Sequence, residues 1–131
     1  FSGEEVGLLG SEYFVKNPTF DLKRIKALIN VDIMGSAEEG ITVVNGETYK
    51  NIFDRLVDIN KRSKYLPEVK IRGKAQNSDH YYFGELGVPA IFIYSNGGPG
   101  WYHDVWDTPA SITTTNFDAV GKLLIEFAKG W

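Results

Sequence analysis

Cysteine is absent from this chain of 131 residues. No disulfide framework and no thiolate metal site can therefore form, although neither a reducing nor an oxidising compartment is excluded. Histidine occurs only twice and methionine once, so few side chains can offer nitrogen or sulfur to a metal. No apolar run approaches the roughly 18 residues that cross a bilayer, and no charged segment followed by a short apolar one opens the sequence; no membrane partner is expected. A basic excess is lacking too. The 14 Lys and Arg are dispersed among 17 Asp and Glu, the net charge is −3, and the basic stripe that marks a nucleic-acid partner is missing. Internal repeats, low-complexity tracts and linkers are likewise not found, which points to one domain.

What is present is a generous apolar complement, 43% of residues with three Trp, seven Tyr and eight Phe. A chain of this length can bury about two thirds of its unfolded surface. Val6, Leu9 and Tyr13 recur at helical spacing, joined by Phe14, and Asn17-Pro18 stops the pattern, which predicts a helix over 5–16. The nearly continuous apolar run 25–34 reads as a strand buried on both faces, and 41–44 as a second strand. Tyr49, Ile52, Phe53, Leu56, Val57 and Asn60 then mark one stripe of a helix over 48–63. Alternation over 69–72 suggests a strand near a sheet edge. A short helix capped by the Asn77-Ser78-Asp79 stretch ends at Gly87, and 88–94 forms another buried strand. A glycine-rich loop follows and delivers Trp101, Tyr102 and His103. A last helix begins near Thr114 or Thr115, with Thr115 and Asp118 as a capping pair and Phe117, Val120, Leu124 and Phe127 facing inward. The order of elements predicts an α/β domain, helices on both sides of a sheet, with the first strand ahead of Phe1.

The chemistry-bearing residues lie where strands hand over to loops. Glu4 and Glu5 are adjacent between Gly3 and Gly7. On a helix start they would point about 100° apart, suiting one metal ligand and one base; Ser2 with Glu5 also spells a capping box, and acidic residues favour a helix start for that reason alone. Asp32 ends an apolar strand, where an ionised carboxylate needs a partner, or else it bonds turn amides ahead of Gly35. Two carboxylates and the imidazole of His103 suit zinc, leaving the other Glu free as a base. Neither His belongs to an HExxH helix. His80, after a capping Asp, reads as a hydrogen-bonded structural residue or, alternatively, as a ligand.

Phe1 to Ser11, Asn30-Val31-Asp32-Ile33-Met34-Gly35, Ser78-Asp79-His80 with Phe83 and Gly87-Val88-Pro89-Ala90, and Tyr102-His103 followed by Asp107-Thr108-Pro109 are in order similar to the motifs of the co-catalytic dizinc aminopeptidases. That family includes aminopeptidase Y, bacterial leucyl aminopeptidases, glutamate carboxypeptidase and glutaminyl cyclases. The resemblance implies a three-layer α/β/α sandwich around a mixed, mostly parallel sheet, and an exopeptidase that removes N-terminal residues from a peptide substrate through a metal-bridging water. It implies Glu4 as general base, Glu5 as ligand to one of two zinc ions, and Asp32 and His103 as ligands to the other. Tyr102 corresponds in several members to a residue steadying the oxyanion, or packs on the glycine loop. Ile33, Met34, Trp101 and Trp106 suggest an apolar substrate pocket. Within the same resemblance a glutaminyl cyclase is the other enzyme class, and a non-catalytic binding module on a decayed peptidase fold is the non-enzyme alternative.

In the family, a His in a His-x-Asp motif and a bridging Asp precede the glutamate pair. The resemblance therefore implies that residues 1–131 are the C-terminal portion of one catalytic domain, whose N-terminal strands and two remaining metal ligands lie before Phe1. Family members are often secreted or periplasmic, which implies an extracytoplasmic setting. Taken alone, the chain is expected to self-associate through uncovered apolar surface, to bind zinc weakly and to turn over no peptide. Isothermal titration checks this: two zinc ions bound with sub-micromolar affinity by the 131 residues would overturn it.

Overall fold

Four segments pair into one sheet in the computed structural model, which describes residues 1–130. They are β1 (Leu28–Val31), β2 (Gly40–Val44), β3 (Val69–Ile71) and β4 (Ala90–Asn96), in the order β1-β4-β2-β3. β1 runs parallel to β4, with Leu28 opposite Ala90 and Val31 opposite Ile93, and β2 runs parallel to β3. β2 and β4 are antiparallel, Val43 facing Ile93. The sheet is thus mixed and mostly parallel, as expected. Its strands alternate their side chains between two helical layers, which makes the domain a three-layer sandwich.

One layer holds α2 (Lys50–Ser63) and α4 (Phe117–Ala128). Ile52, Leu56 and Ile59 of α2 and Val120, Leu123 and Phe127 of α4 close over Ile41, Val43, Ile91 and Ile93 of the sheet, all at most 2% exposed. Each such side chain contributes roughly 1.5–3 kcal/mol by leaving water. The opposite layer is smaller, with α1 (Leu9–Lys16) and α3 (His80–Glu85). There Phe83, Val88 and Ala90 pack with Phe14, Val15, Leu22, Ile25 and Leu28. The ring of Phe1 joins them, 5.5 Å from Phe14 and 5.8 Å from Phe83.

Three expectations are corrected by local geometry. First, α1 starts at Leu9 and not at Glu5, because Gly3, Gly7 and Leu8 have φ of 71°, 110° and 61° and coil the chain before the helix begins. The capping box is not made; the helix start has no side-chain cap, and the Ser2 carbonyl accepts the Gly10 N–H at 2.8 Å. A Cβ on Gly10 would lie 2.3 Å from that carbonyl oxygen, so only glycine fits there. Left-handed Leu8 also sets the phase of the helix. Leu8 and Ser11 are buried, whereas Val6, Leu9 and Tyr13, the expected inner face, are exposed.

Second, the strand expected over 25–34 shortens to β1, preceded by the 3₁₀ turn Leu22–Arg24. Among the described residues β1 has β4 as its one sheet neighbour, and Val31 is exposed, so burial on both faces falls to β2 and to Ala90–Ile93 of β4. Third, Asn116 at φ 63° precedes α4 without a side-chain cap, and its buried stripe runs through Val120, Leu123 and Phe127, with Leu124 partly buried beside it and Phe117 exposed. In α2 the expected stripe is present except that Asn60 turns to the helix end, where its side chain bonds both the N–H and the C=O of Leu66.

His80 is a core residue, 1% exposed, with its ring 5.5 Å from that of Phe92. It is the structural residue of the two expected readings, its ring set against the backbone of Ser78 and Ala75, though neither contact reaches full hydrogen-bond geometry. Burial lowers its pKa from 6.5 to about 4, and the nearby backbone of Ser78 and Ala75 and the charge of Asp79 only partly oppose that. The folded state holds this His neutral while the unfolded chain protonates it. Its contribution is therefore complete above pH 6.5 and is lost as pH falls towards 4. Between pH 7 and 4.5 the wild-type chain should lose roughly 2–3 kcal/mol more stability than His80→Gln, at about 1.4 kcal/mol per pH unit. Urea unfolding at the two pH values checks this; equal losses would show that His80 does not titrate on unfolding.

Candidate active site

Because β1 and β4 run parallel, their carboxyl ends lie at the same side of the sheet. Asp32 follows β1 directly, and the loop 97–103 leaves β4 beside it. The coil before α1 is folded back by Leu9 N–H to Gly3 C=O and Gly10 N–H to Ser2 C=O, and its Glu5 reaches His103. Crevices of open α/β sheets form at such strand ends.

Asp32 is held on both sides. Its Oδ1 accepts the N–H of Ile33 at 2.7 Å, and its Oδ2 accepts the Ser78 hydroxyl at 2.9 Å. The Asn30 side-chain amide donates to Ser78 Oγ at 2.6 Å, so the single hydroxyl proton of Ser78 is left for Asp32. Asn30 and Asp32 are two apart at the end of a strand and share a face. Ile33 adopts φ 53°, a conformation costly for a β-branched residue, and Ser95 holds it there by donating its hydroxyl to the Ile33 carbonyl at 3.1 Å. The turn-amide reading and the partnered reading of Asp32 both apply, one to each oxygen.

His103 also has positive φ, 58°. Its ring stacks on Tyr102 with centroids 4.0 Å apart, and its Nε2 lies 3.4 Å from Glu5 Oε1. The carboxyl of Glu4 is pushed above the usual range, first by burial and then by the charges of Asp32, Glu5 and Asp79, with His103 opposing. The Tyr102 phenol is raised as well, by burial and by Glu5, Asp32 and Glu4. Glu4, Glu5, Asp32, Tyr102 and His103 therefore share one electrostatic neighbourhood. Of these, Glu5 and His103 touch, while Asp32 is turned to Ser78. Among the described residues no three His, Asp or Glu side chains already surround a common point. Tyr102 lies on His103 and with Ile33 and Met34 lines a recess of about 210 Å³. Trp101 lines it too, whereas Trp106 stands in an adjoining, wider recess with Glu38.

The donor set fits zinc in kind: carboxylate oxygens and an imidazole nitrogen, with three mutually repelling carboxylates that a cation would relieve. Glu5 and His103 are 76% and 58% exposed, free to turn towards a metal. Asn30 and Ser95 carried no expected role, and Ser78 was expected only as part of a helix cap; the fold turns Ser78 to Asp32, Asn30 to Ser78 and Ser95 to Ile33.

Residues 1–128 match the sequence profile of peptidase family M28. Aminopeptidase YwaD of Bacillus subtilis is 30% identical over 138 residues, covering 95% of this chain and 29% of that protein. Among solved structures, the zinc aminopeptidase BSAP from Bacillus subtilis superposes with a TM-score of 0.81 at 22% identity, over 98% of this chain and 34% of that one. Glutaminyl cyclase from Porphyromonas gingivalis gives a TM-score of 0.77 at 21% identity, over 99% of this chain and 51% of that one. The chain thus spans about a third of the length of such aminopeptidase relatives. The family match covers nearly the whole chain, and the chain belongs to peptidase family M28.

Proposed function

We propose that the protein carrying this chain is a zinc-dependent aminopeptidase, with Glu4 as general base and Glu5, Asp32 and His103 among the ligands of two zinc ions. The observation that carries this is the convergence on one strand end of Glu4, whose carboxyl is raised by burial and by neighbouring Asp32 and Glu5, with a Glu5–His103 contact of 3.4 Å. Zinc, when bound, supplies Lewis acidity that polarises a peptide carbonyl and makes water a stronger acid. Glu4 accepts the proton of the attacking water and passes it to the leaving amine nitrogen as the C–N bond breaks. The raised affinity of Glu4 for a proton suits both halves of that transfer. Tyr102 keeps its phenolic proton and can donate it in a hydrogen bond to the carbonyl oxygen as negative charge develops. Ile33 and Met34 offer an apolar wall to the side chain of the N-terminal residue. Peptides as substrate and an extracytoplasmic place of action belong to the same proposal and rest on family resemblance.

The test is to present the full-length protein with a leucine anilide and with a peptide beginning in Gln. Release of the anilide, lost on chelation and regained with zinc, is expected. Ring closure of the Gln peptide with no anilide hydrolysis would instead make the protein a cyclase.

A further inference from the structure

Two recesses adjoin at the candidate site and share part of their lining, at Gly98, Pro99, Trp101, Ser111 and Thr113. The narrower, of about 210 Å³, includes Ile33 and Tyr102, the sequence neighbours of Asp32 and His103. The wider, of about 630 Å³, continues past Trp101 to Trp106 and Glu38. Their walls are the loop that enters β2 and the loop that leaves β4. These loops are neighbours because β2 and β4 pair, Gly40 opposite Asn96, with the Glu39 N–H on the Asn96 carbonyl at 3.0 Å. Glu38 is brought close to the glycine turn: a Cβ on Gly97, at φ 125°, would lie 3.0 Å from the Cβ of Glu38.

The double recess carries charge of one sign. Glu38 lines the wider part and Asp107 the narrower, and no Lys, Arg or His lines either. Among the described residues neither carboxylate has an ion-pair partner. Trp101 and Trp106 line the wider recess with Glu38 and keep 40% and 67% of their surface exposed. Ser36 lines the narrower one, and its buried hydroxyl oxygen has no hydrogen-bond partner. A short apolar side chain against Ile33 and Met34 would use none of these groups. A long side chain ending in a cation would use them together, its stem along Met34 and Trp101 and its charge near Glu38 and the indoles.

We propose that the wider recess is a specificity subsite for the first residue of the substrate, selecting a lysine or arginine side chain through Glu38, Trp101 and Trp106. The proposal rests on the aminopeptidase reading, in which Ile33 and Met34 form the wall for that side chain.

The full-length protein is assayed on lysine and leucine anilides, as wild type and as three variants. Glu38 stands exposed in the turn before β2 and Trp106 is exposed on its loop, so neither position is needed for packing. The ratio of kcat/KM for lysine over leucine should fall about 2–5-fold in Glu38→Gln, the range of an exposed charge pair. It should fall by a similar factor in Trp106→Ala, the range of an exposed cation–π contact, and furthest in Glu38→Lys, where attraction becomes repulsion. Fluorine NMR of fluorotryptophan-labelled protein gives a second readout. Lysine amide should move the Trp101 and Trp106 resonances, and leucine amide should move them less. The proposal is overturned if wild type and Glu38→Lys show the same ratio, or if lysine amide leaves both resonances in place. Hydrolysis of neither anilide by the wild type would count against the aminopeptidase reading, while the fluorine titration would still decide whether the recess takes a cationic side chain.

Discussion

Replacing Glu4 by glutamine in the full-length protein is expected to lower kcat on a peptide or anilide by about 10²–10⁴-fold, the usual contribution of a positioned acid-base group. KM and zinc content should stay near their wild-type values. Glutamine keeps the shape and the hydrogen-bonding carbonyl of the side chain but cannot take a proton. The substitution also removes one of the negative charges now crowded with Asp32 and Glu5, so metal binding by Glu5 should not suffer. Steady-state kinetics with atomic absorption for zinc separates the cases. A loss of activity that tracks a loss of zinc would make Glu4 a ligand, and unchanged kcat would remove it from the chemistry.

Asp32→Ala should have the second large effect, loss of about one zinc equivalent together with activity. Asp32 ends a short strand and is pinned by Ile33 and Ser78, so its carboxylate is presented without having to be ordered first. Ser78→Ala separates orientation from coordination. It leaves the ligand in place but removes the acceptor of Asn30 and the donor to Asp32, and zinc affinity should fall about 10–100-fold with stoichiometry intact. Competition with a metal indicator measures both. Equal behaviour of Ser78→Ala and wild type would mean that the Asn30-Ser78-Asp32 chain does not orient the ligand.

Much of the candidate site was legible in the chain because its residues stand at strand ends. Asp32 stands where an apolar run meets a glycine, and His103 where a glycine loop leaves β4; neither position suits packing alone. β4 and α2 were likewise readable, β4 as a continuous apolar run and α2 from the period of about 3.6 of its buried stripe. The conformation of the glutamate pair was not readable. Ser2-Gly3-Glu4-Glu5 has the local grammar of a helix cap, and what defeats it is tertiary: the ring of Phe1 on Phe14 and Phe83, and the close passage of Gly10 under Ser2. Glu4 and Glu5 diverge as members of a coil and not as neighbours on a helix. The role of Ser78 was hidden for a related reason. A capping residue explains itself locally, and only the fold reveals that Ser78 bonds to Asp32.

The central claim is that Glu5, Asp32 and His103 bind metal while Glu4, beside them, does not. An anomalous difference map at the zinc edge, from crystals of the full-length protein, tests it most directly. The account predicts zinc peaks about 2.0–2.2 Å from the donor atoms of Glu5, Asp32 and His103, the ordinary ligand distances, and none at that distance from Glu4. A zinc ion coordinated by Glu4, or peaks that leave Asp32 and His103 untouched, would contradict it.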